Sequence, residues 1–592
     1  MFESAARTDG EQGRVIHGFL DGPRPLFGSY HAPASPSRDI GYVICPPLGW
    51  EGIQCYQSVQ LLADELAAAG FHTLRVHYDG TGESLGSDEE PGRVAAWLES
   101  VRRAVAAMAS ISPRVALIGI RVGATLAGAI AAEIELASLV LLEPCVSGAH
   151  YSREMEILAS AAPRAIQANR KAPPPGIEAG GYLLTPETVE SLNTIDLQKL
   201  KPRGTPDVLL LHRNDRPPSF GKKLAEHLVR EGCQTSLEQL AGYKEMMTYP
   251  ERAQPGTLFI HRIRDWALER SQVGAGSTSE TRLTLADEAV AGNVRRRPVR
   301  FGPDQRLFGV ISEPIAGASS KGKAKRPVLF LTGGVVPRTG VNRMYVVMAS
   351  RLAEMGHTVL RMDVSGICES PAAAGATPND PHAATLLDDV RCAVELLLAS
   401  TGQQTITMLG LCSGAYATFQ TTLADPRIRG AVLLNPEVFH LKDGSPKFSQ
   451  TEQSQAAKHY RQSLFSVAAW KKLLSGKANV RYIAGFAGAR VKTSLIAARD
   501  RLSARIKKVP QGLAGDLHRL LARDVKVSIV MAEGDPGHEP LMSQLTADLE
   551  ALTQMGLKLK LTPGPDHTFN DFSVRQPLVE WLVEIMSETG PS

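Results

Sequence analysis

Short apolar runs alternate along the chain with stretches of one-sided, helical periodicity. The runs Gly41-Tyr42-Val43-Ile44-Cys45, Val328-Leu329-Phe330-Leu331, Thr405-Ile406-Thr407-Met408-Leu409 and Val527-Ser528-Ile529-Val530-Met531 are largely apolar and predict buried strands. Ala415 to Ala424 predicts a helix soon after the third of them. Apolar strands separated by amphipathic helices predict a largely parallel sheet covered on both faces. The most apolar region, Val115 to Leu142, is broken by Arg121, Glu133 and Glu135, so no membrane span is expected.

The pattern occurs twice. Ala69-Gly70-Phe71-His72-Thr73-Leu74-Arg75 followed by Gly80-Thr81-Gly82-Glu83-Ser84 returns 286 residues later as Met355-Gly356-His357-Thr358-Val359-Leu360-Arg361 and Gly366-Ile367-Cys368-Glu369-Ser370. Leu141-Leu142-Glu143-Pro144 returns as Leu433-Leu434-Asn435-Pro436. Pro25-Leu26-Phe27-Gly28, read as part of the first strand, returns as Arg306-Leu307-Phe308-Gly309. Ser271 to Asn293 has no periodicity and reads as a linker. Two α/β domains are therefore expected, 1–270 with a helical cap at about 146–205, and 294–592 with a cap at about 438–523.

Gly410-Leu411-Cys412-Ser413-Gly414 puts a thiol between a predicted strand and a predicted helix, with glycines where a tight turn has no room for a Cβ. A thiol nucleophile needs a base, and the base an orienting carboxylate. Strand 527–531 runs into Glu533-Gly534-Asp535-Pro536, and the next, Lys558-Leu559-Lys560-Leu561, into Gly564-Pro565-Asp566-His567. Cys412, Asp535 and His567 thus follow in chain order at strand ends, with Glu533 and His538 as neighbours of the acid. Ser413 is out of register as a nucleophile, and its backbone N–H is the expected oxyanion donor. The second donor is expected from Thr332-Gly333-Gly334-Val335, at Gly334 or Val335.

In the first half Gly119-Ile120-Arg121-Val122-Gly123 places Arg121 at the nucleophile position, where a guanidinium cannot attack a carbonyl. Asp215 stands at the acid position and Glu245 where the histidine should come, which predicts a salt-bridged, inactive domain. The alternative is an anion site at Arg121.

These turns, the Arg-x-Asp-x-x-Gly-x-x-x-Ser strand end and the late Asp and His give the chain a resemblance to the α/β-hydrolase family over nearly its whole length, twice. It implies two α/β-hydrolase domains in tandem, each a mostly parallel doubly wound sheet with a helical cap insertion. More narrowly, Gly410-Leu411-Cys412 with Tyr460 to Gly476, and Gly119-Ile120-Arg121, resemble the Cys-type and Arg-type hydrolase-like proteins paired at bacterial exosortase and exopolysaccharide loci. The chain looks like a fusion of the two.

Charge adds a hint about substrate. Between Lys442 and Arg523 there are 17 Lys and Arg against 4 Asp and Glu, a net +13, whereas the whole chain carries +4. A basic cap, with Lys471 and Lys472 as representative substrate-binding residues beside Arg121, would gather anionic substrates: a carrier-linked thioester, an acidic carrier protein, an anionic glycan or a lipid phosphate. The alternative is a solvated face. No nucleic-acid module accompanies the charge. Seven cysteines without paired or metal-ligand spacing, and a polar N-terminus without a signal peptide, point to the cytoplasm. No metal or cofactor is expected. The expected activity is acyl transfer through a Cys412 thioester, by an esterase or thioesterase; an acyltransferase or cyclase with another acceptor, or a non-catalytic binding or scaffold protein, are the alternatives. A polyester synthase has similar length but no tandem repeat.

Overall fold

The computed structural model describes residues 15–34, 36–160, 175–217, 219–273, 282–315, 325–441, 511–562, 567–569 and 572–588. The chain forms two compact units, Met1–Gln403 with Phe569–Ser592, and Gln404–Thr568.

In the first unit an eight-stranded sheet is built from β1 (Val15–Leu20), β2 (Leu26–His31), β3 (Ile40–Cys45), β4 (Thr73–Val76), β5 (Arg114–Ile120), β6 (Ser138–Leu142), β9 (Asp207–Arg213) and β10 (Gln234–Leu240); β7 (Ile177–Ala179) and β8 (Tyr182–Leu184) form a separate hairpin. The order is β1-β2-β4-β3-β5-β6-β9-β10. The first two pairings are antiparallel and the rest parallel. The strands read as unbroken apolar runs because both faces are covered. Val43, Cys45, Leu117, Leu141 and Leu210 pack with Trp97, Val101 and Leu126 on one side. Tyr42, Ile44, Ile118, Val140 and Leu209 pack with Leu62, Phe259 and Trp266 on the other.

The same unit holds β11 (Ala289–Ala291), β12 (Val294–Phe301), β13 (Leu307–Pro314), β14 (Val328–Leu331) and β15 (Val359–Asp363), with β12, β13 and β15 antiparallel in turn and β15 parallel to β14. The C-terminal helix Phe572–Glu588 packs on the helix Met344–Glu354.

The second unit contains β16 (Ile406–Leu411), β17 (Ile428–Leu434), β18 (Lys526–Ala532) and β19 (Lys558–Thr562), all parallel in that order. In chain order β12 to β19 repeat β1 to β6, β9 and β10, and the chain carries the α/β-hydrolase fold twice.

Three expectations need correction. The runs around Phe27 and Phe308 lie in β2 and β13, each preceded by an antiparallel partner. Beyond residue 281 the expected linker is packed: Leu283 and Leu285 are buried, Phe19 bridges to Ala286, and Ala289–Ala291 is a strand. Much of the expected basic cap, 442–510, lies outside the described residues, and its end is not a cap. Gly512–Ala522 is a helix whose Leu513, Leu517 and Leu520 share a core with Val527 and Ile529.

Candidate active site

Cys412 sits between β16 and the helix Ser413–Ala424 with φ 54° and ψ −115°, a positive φ that residues with a Cβ rarely adopt. The crossing imposes it. A Cβ at Gly410 would lie 2.0 Å from the Gly414 carbonyl oxygen, so the strand end and the first helical turn touch backbone to backbone. Cys412 is partly exposed, whereas Cys45, Cys55, Cys145 and Cys233 are buried. Its thiol stands at the N-terminus of a 12-residue helix.

His567, beyond β19, and Asp535, beyond β18, meet as expected. Asp535 Oδ2 accepts from His567 Nδ1 at 2.5 Å, and its Oδ1 accepts from the Gly537 N–H at 2.7 Å. Asp535 is 4% exposed; Glu533, its rival, is exposed, and His538 opens the following helix. With Nδ1 donating to the carboxylate, Nε2 is left for the substrate side, and among the described residues it is buried without a hydrogen-bond partner. A ring nitrogen of His567 lies within 4.8 Å of Cys412 Sγ. Burial alone would depress the imidazole's pKa, but charge on Cys412 and the Asp535 carboxylate outweigh it and hold the ring well above its ordinary 6.5.

Two residues join these that sequence reading left out. Asn435, at the end of β17 with φ 40°, accepts from the Ala532 N–H at 2.7 Å and donates to the His567 carbonyl at 2.7 Å, tying the acid's strand to the histidine's turn. Glu437 brings a carboxylate oxygen within 4.8 Å of both the thiol and the imidazole. For Asn435 the signal was present: the run Leu433 to Pro436 is a repeated strand end. A thiol, an imidazole and a carboxylate so close together are also a donor set that could hold zinc.

Ser413 is buried as the first helical residue, and its N–H follows the thiol in the chain. Gly334 and Val335 belong to the first unit; Gly334 has φ 59°, and Val335 is buried. Lys471 and Lys472 lie outside the described residues.

The first half builds the same turn around a different group. Arg121, between β5 and the helix Val122–Ala131, has φ 55° and ψ −123°, and a Cβ at Gly123 would lie 2.2 Å from the Cys45 carbonyl oxygen. Its guanidinium is buried and paired, through Nε to Glu51 at 2.8 Å and through Nη2 to Glu154. The expected partners, Asp215 and Glu245, are not used. Asp215 binds Arg213 and Lys244 near the surface, and Glu245 is exposed. Glu51 comes from the short helix Gly49–Gln54 after β3, and Glu154 from the helix Gly148–Ser160.

Residues 326–485 match the family described as serine aminopeptidase, S33. That stretch spans the Cys412 turn. No curated protein matches the chain. Solved structures similar to it include Est1E from Butyrivibrio proteoclasticus with ferulic acid bound, 17% identical over 43% of this chain and 98% of that one, TM-score 0.34. Others are XC6422 from Xanthomonas campestris, 16% identical over 43% and 95%, TM-score 0.28, and carboxyl esterase 2 from Tuber melanosporum, 13% identical over 46% and 90%, TM-score 0.30.

Proposed function

We propose that the chain is an acyl-transfer enzyme in which Cys412 carries the acyl group as a thioester. The supporting observation is the His567 imidazole, oriented by Asp535 at 2.5 Å, with Cys412 Sγ within 4.8 Å. The thiolate adds to the carbonyl carbon of an ester or thioester, and the oxyanion is stabilised by the backbone N–H of Ser413. As the intermediate collapses, the bond to the leaving group breaks and His567 Nε2 gives that group a proton. His567 then takes a proton from the acceptor, which attacks the thioester and releases Cys412. Water as acceptor makes the enzyme a hydrolase; an alcohol or amine makes it a transferase. The first half, with Arg121 paired to two carboxylates, contributes no nucleophile. The +13 between Lys442 and Arg523 favours an anionic or carrier-linked substrate.

The test is the intact mass of the protein after incubation with a panel of acyl thioesters and esters. The expected result is a single added acyl group that is absent in Cys412→Ala. Acylation of the alanine variant, or no adduct with any of the panel alongside unaltered turnover, would remove the assignment.

Glu437 favours a second reading, a zinc hydrolase in which Cys412, His567 and Glu437 hold the ion and Asp535 orients the histidine from behind. Metal analysis of the purified protein separates the two. One equivalent of zinc with chelator-sensitive turnover supports this reading, and full turnover in metal-free protein supports the thioester.

A further inference from the structure

The first half has lost a nucleophile but keeps a chamber. A cavity of about 160 Å³ lies beside the loop after β3, walled by the aromatic rings of Trp50, Tyr56, Tyr78, Trp97, Tyr151 and Tyr182. Part of the wall comes from the second repeat, through Pro337 to Thr339 and Arg343, all within the first compact unit. An apolar cavity of roughly 150 Å³ in another protein stays dry and takes up benzene, so this volume suits one ring or about six carbons.

The polar groups of the wall narrow the class further. Arg343 spends its guanidinium on the carbonyls of Gly80, Gly82, Ser84 and Gly86. Arg75 is committed to Glu369, and Arg338 to Asp363 and Glu83, with the Phe308 ring 4.3 Å from the Arg338 guanidinium. Glu51 differs. Its Oε1 is held by Arg121, but Oε2 is buried and has no hydrogen-bond partner among the described residues. The Glu51 oxygen left over is a carboxylate oxygen, so a ligand's carboxylate brought against it is repelled while a hydrogen-bond donor is accepted.

We propose that the first half binds in this cavity a small neutral molecule, one ring or a short chain, whose hydroxyl donates to Glu51 Oε2. The site is independent of Cys412 chemistry and gives the inactive half a ligand of its own.

The test uses the full chain with Cys412→Ala and three one-ring probes, phenol, toluene and benzoate, followed by the fluorescence of Trp50 and Trp97 and by thermal shift. Phenol is expected to bind saturably, toluene about fivefold more weakly for lack of the donor, and benzoate not at all. Ala179→Phe, which fills the cavity from the β7–β8 hairpin, abolishes phenol binding. Glu51→Leu, which leaves Arg121 its pair with Glu154, brings phenol down to the level of toluene. Absence of saturable phenol binding, benzoate binding as tightly as phenol, or Glu51→Leu leaving the preference for phenol intact would each overturn the proposal; so would undiminished binding in a folded Ala179→Phe variant.

Discussion

Arg75 donates twice to Glu369, at 2.9 and 3.0 Å, in the buried contact between the repeats, and Arg361 returns the arrangement to Glu83 at 2.8 and 2.8 Å. Position 361 repeats 75 and 369 repeats 83, so each repeat gives its strand-end arginine to the other's glutamate, as the two faces of a two-fold contact do. All four side chains are buried. Removing one partner strands a charge, and Glu369→Gln is expected to cost about 3–5 kcal/mol. Arg75→Met with Glu369→Leu, which removes both, is expected to cost less than the single change. Urea unfolding of the three proteins checks this, and a double variant less stable than Glu369→Gln would contradict it.

Acid should undo the same contact late. Burial alone would raise the pKa of Glu83, but Arg361 and Arg338 more than reverse it, to about 2, and Arg75 holds Glu369 well below the ordinary 4.5. A depressed folded pKa gives stability that is present above 4.5 and fades as pH falls toward about 2. The stability gap between the native protein and Glu83→Gln should therefore be widest above pH 4.5 and close as pH approaches 2, as followed by denaturant midpoints.

His567 carries the opposite sign. With its folded pKa raised above 6.5, the stabilisation is complete below 6.5 and is lost as pH rises through the folded value. By NMR the His567 ring should titrate above 6.5 in the native protein and lower in Cys412→Ala, which deletes the neighbouring charge. Adding Asp535→Asn should lower it again. An unchanged titration in Cys412→Ala would mean that the thiol and the ring do not interact.

Arg121 and Glu245 should part company on substitution. Arg121→Ala leaves Glu51 and Glu154 without their cation and is expected to cost about 3–5 kcal/mol, with single-turnover acylation of Cys412 little changed. The exposed Glu245→Ala should stay within about 0.5 kcal/mol of the native protein. A fall in acylation rate as large as that of His567→Ala would return the first half to the chemistry.

Salt tests the basic segment. If it steers an anionic substrate, kcat/KM should fall steeply as salt rises while kcat holds, because exposed charges beyond about 8 Å are screened at physiological ionic strength. Reversing Lys471 and Lys472 to Glu should lower kcat/KM at low salt and flatten its salt dependence. A flat profile for the native protein would leave the segment a solvated surface.

Strand runs, the repeat and the Cys412 turn were legible because each is local: a run of apolar residues or a pair of glycines names its own geometry. Asp535 was separable from Glu533 only by burial, which depends on the chain folding back at Gly537. The partners of Arg121 were misjudged for the same reason. Glu51 and Glu154 lie 70 residues before it and 33 after, and only the sheet brings them to one turn. β12 escaped notice because Arg295, Arg296, Arg297 and Arg300 hide its alternation, although Val294 and Phe301 are buried.

Arg121 and Cys412 share one more thing, a backbone within a few degrees of the same φ and ψ. Such a conformation costs on the order of 1–3 kcal/mol, and the first half bears it around a guanidinium, which cannot attack a carbonyl. The strain is thus a debt of the strand-to-helix crossing and not of catalysis. It would persist whatever side chain stood there, so a cysteine introduced at position 121 would inherit the posture of a nucleophile at once.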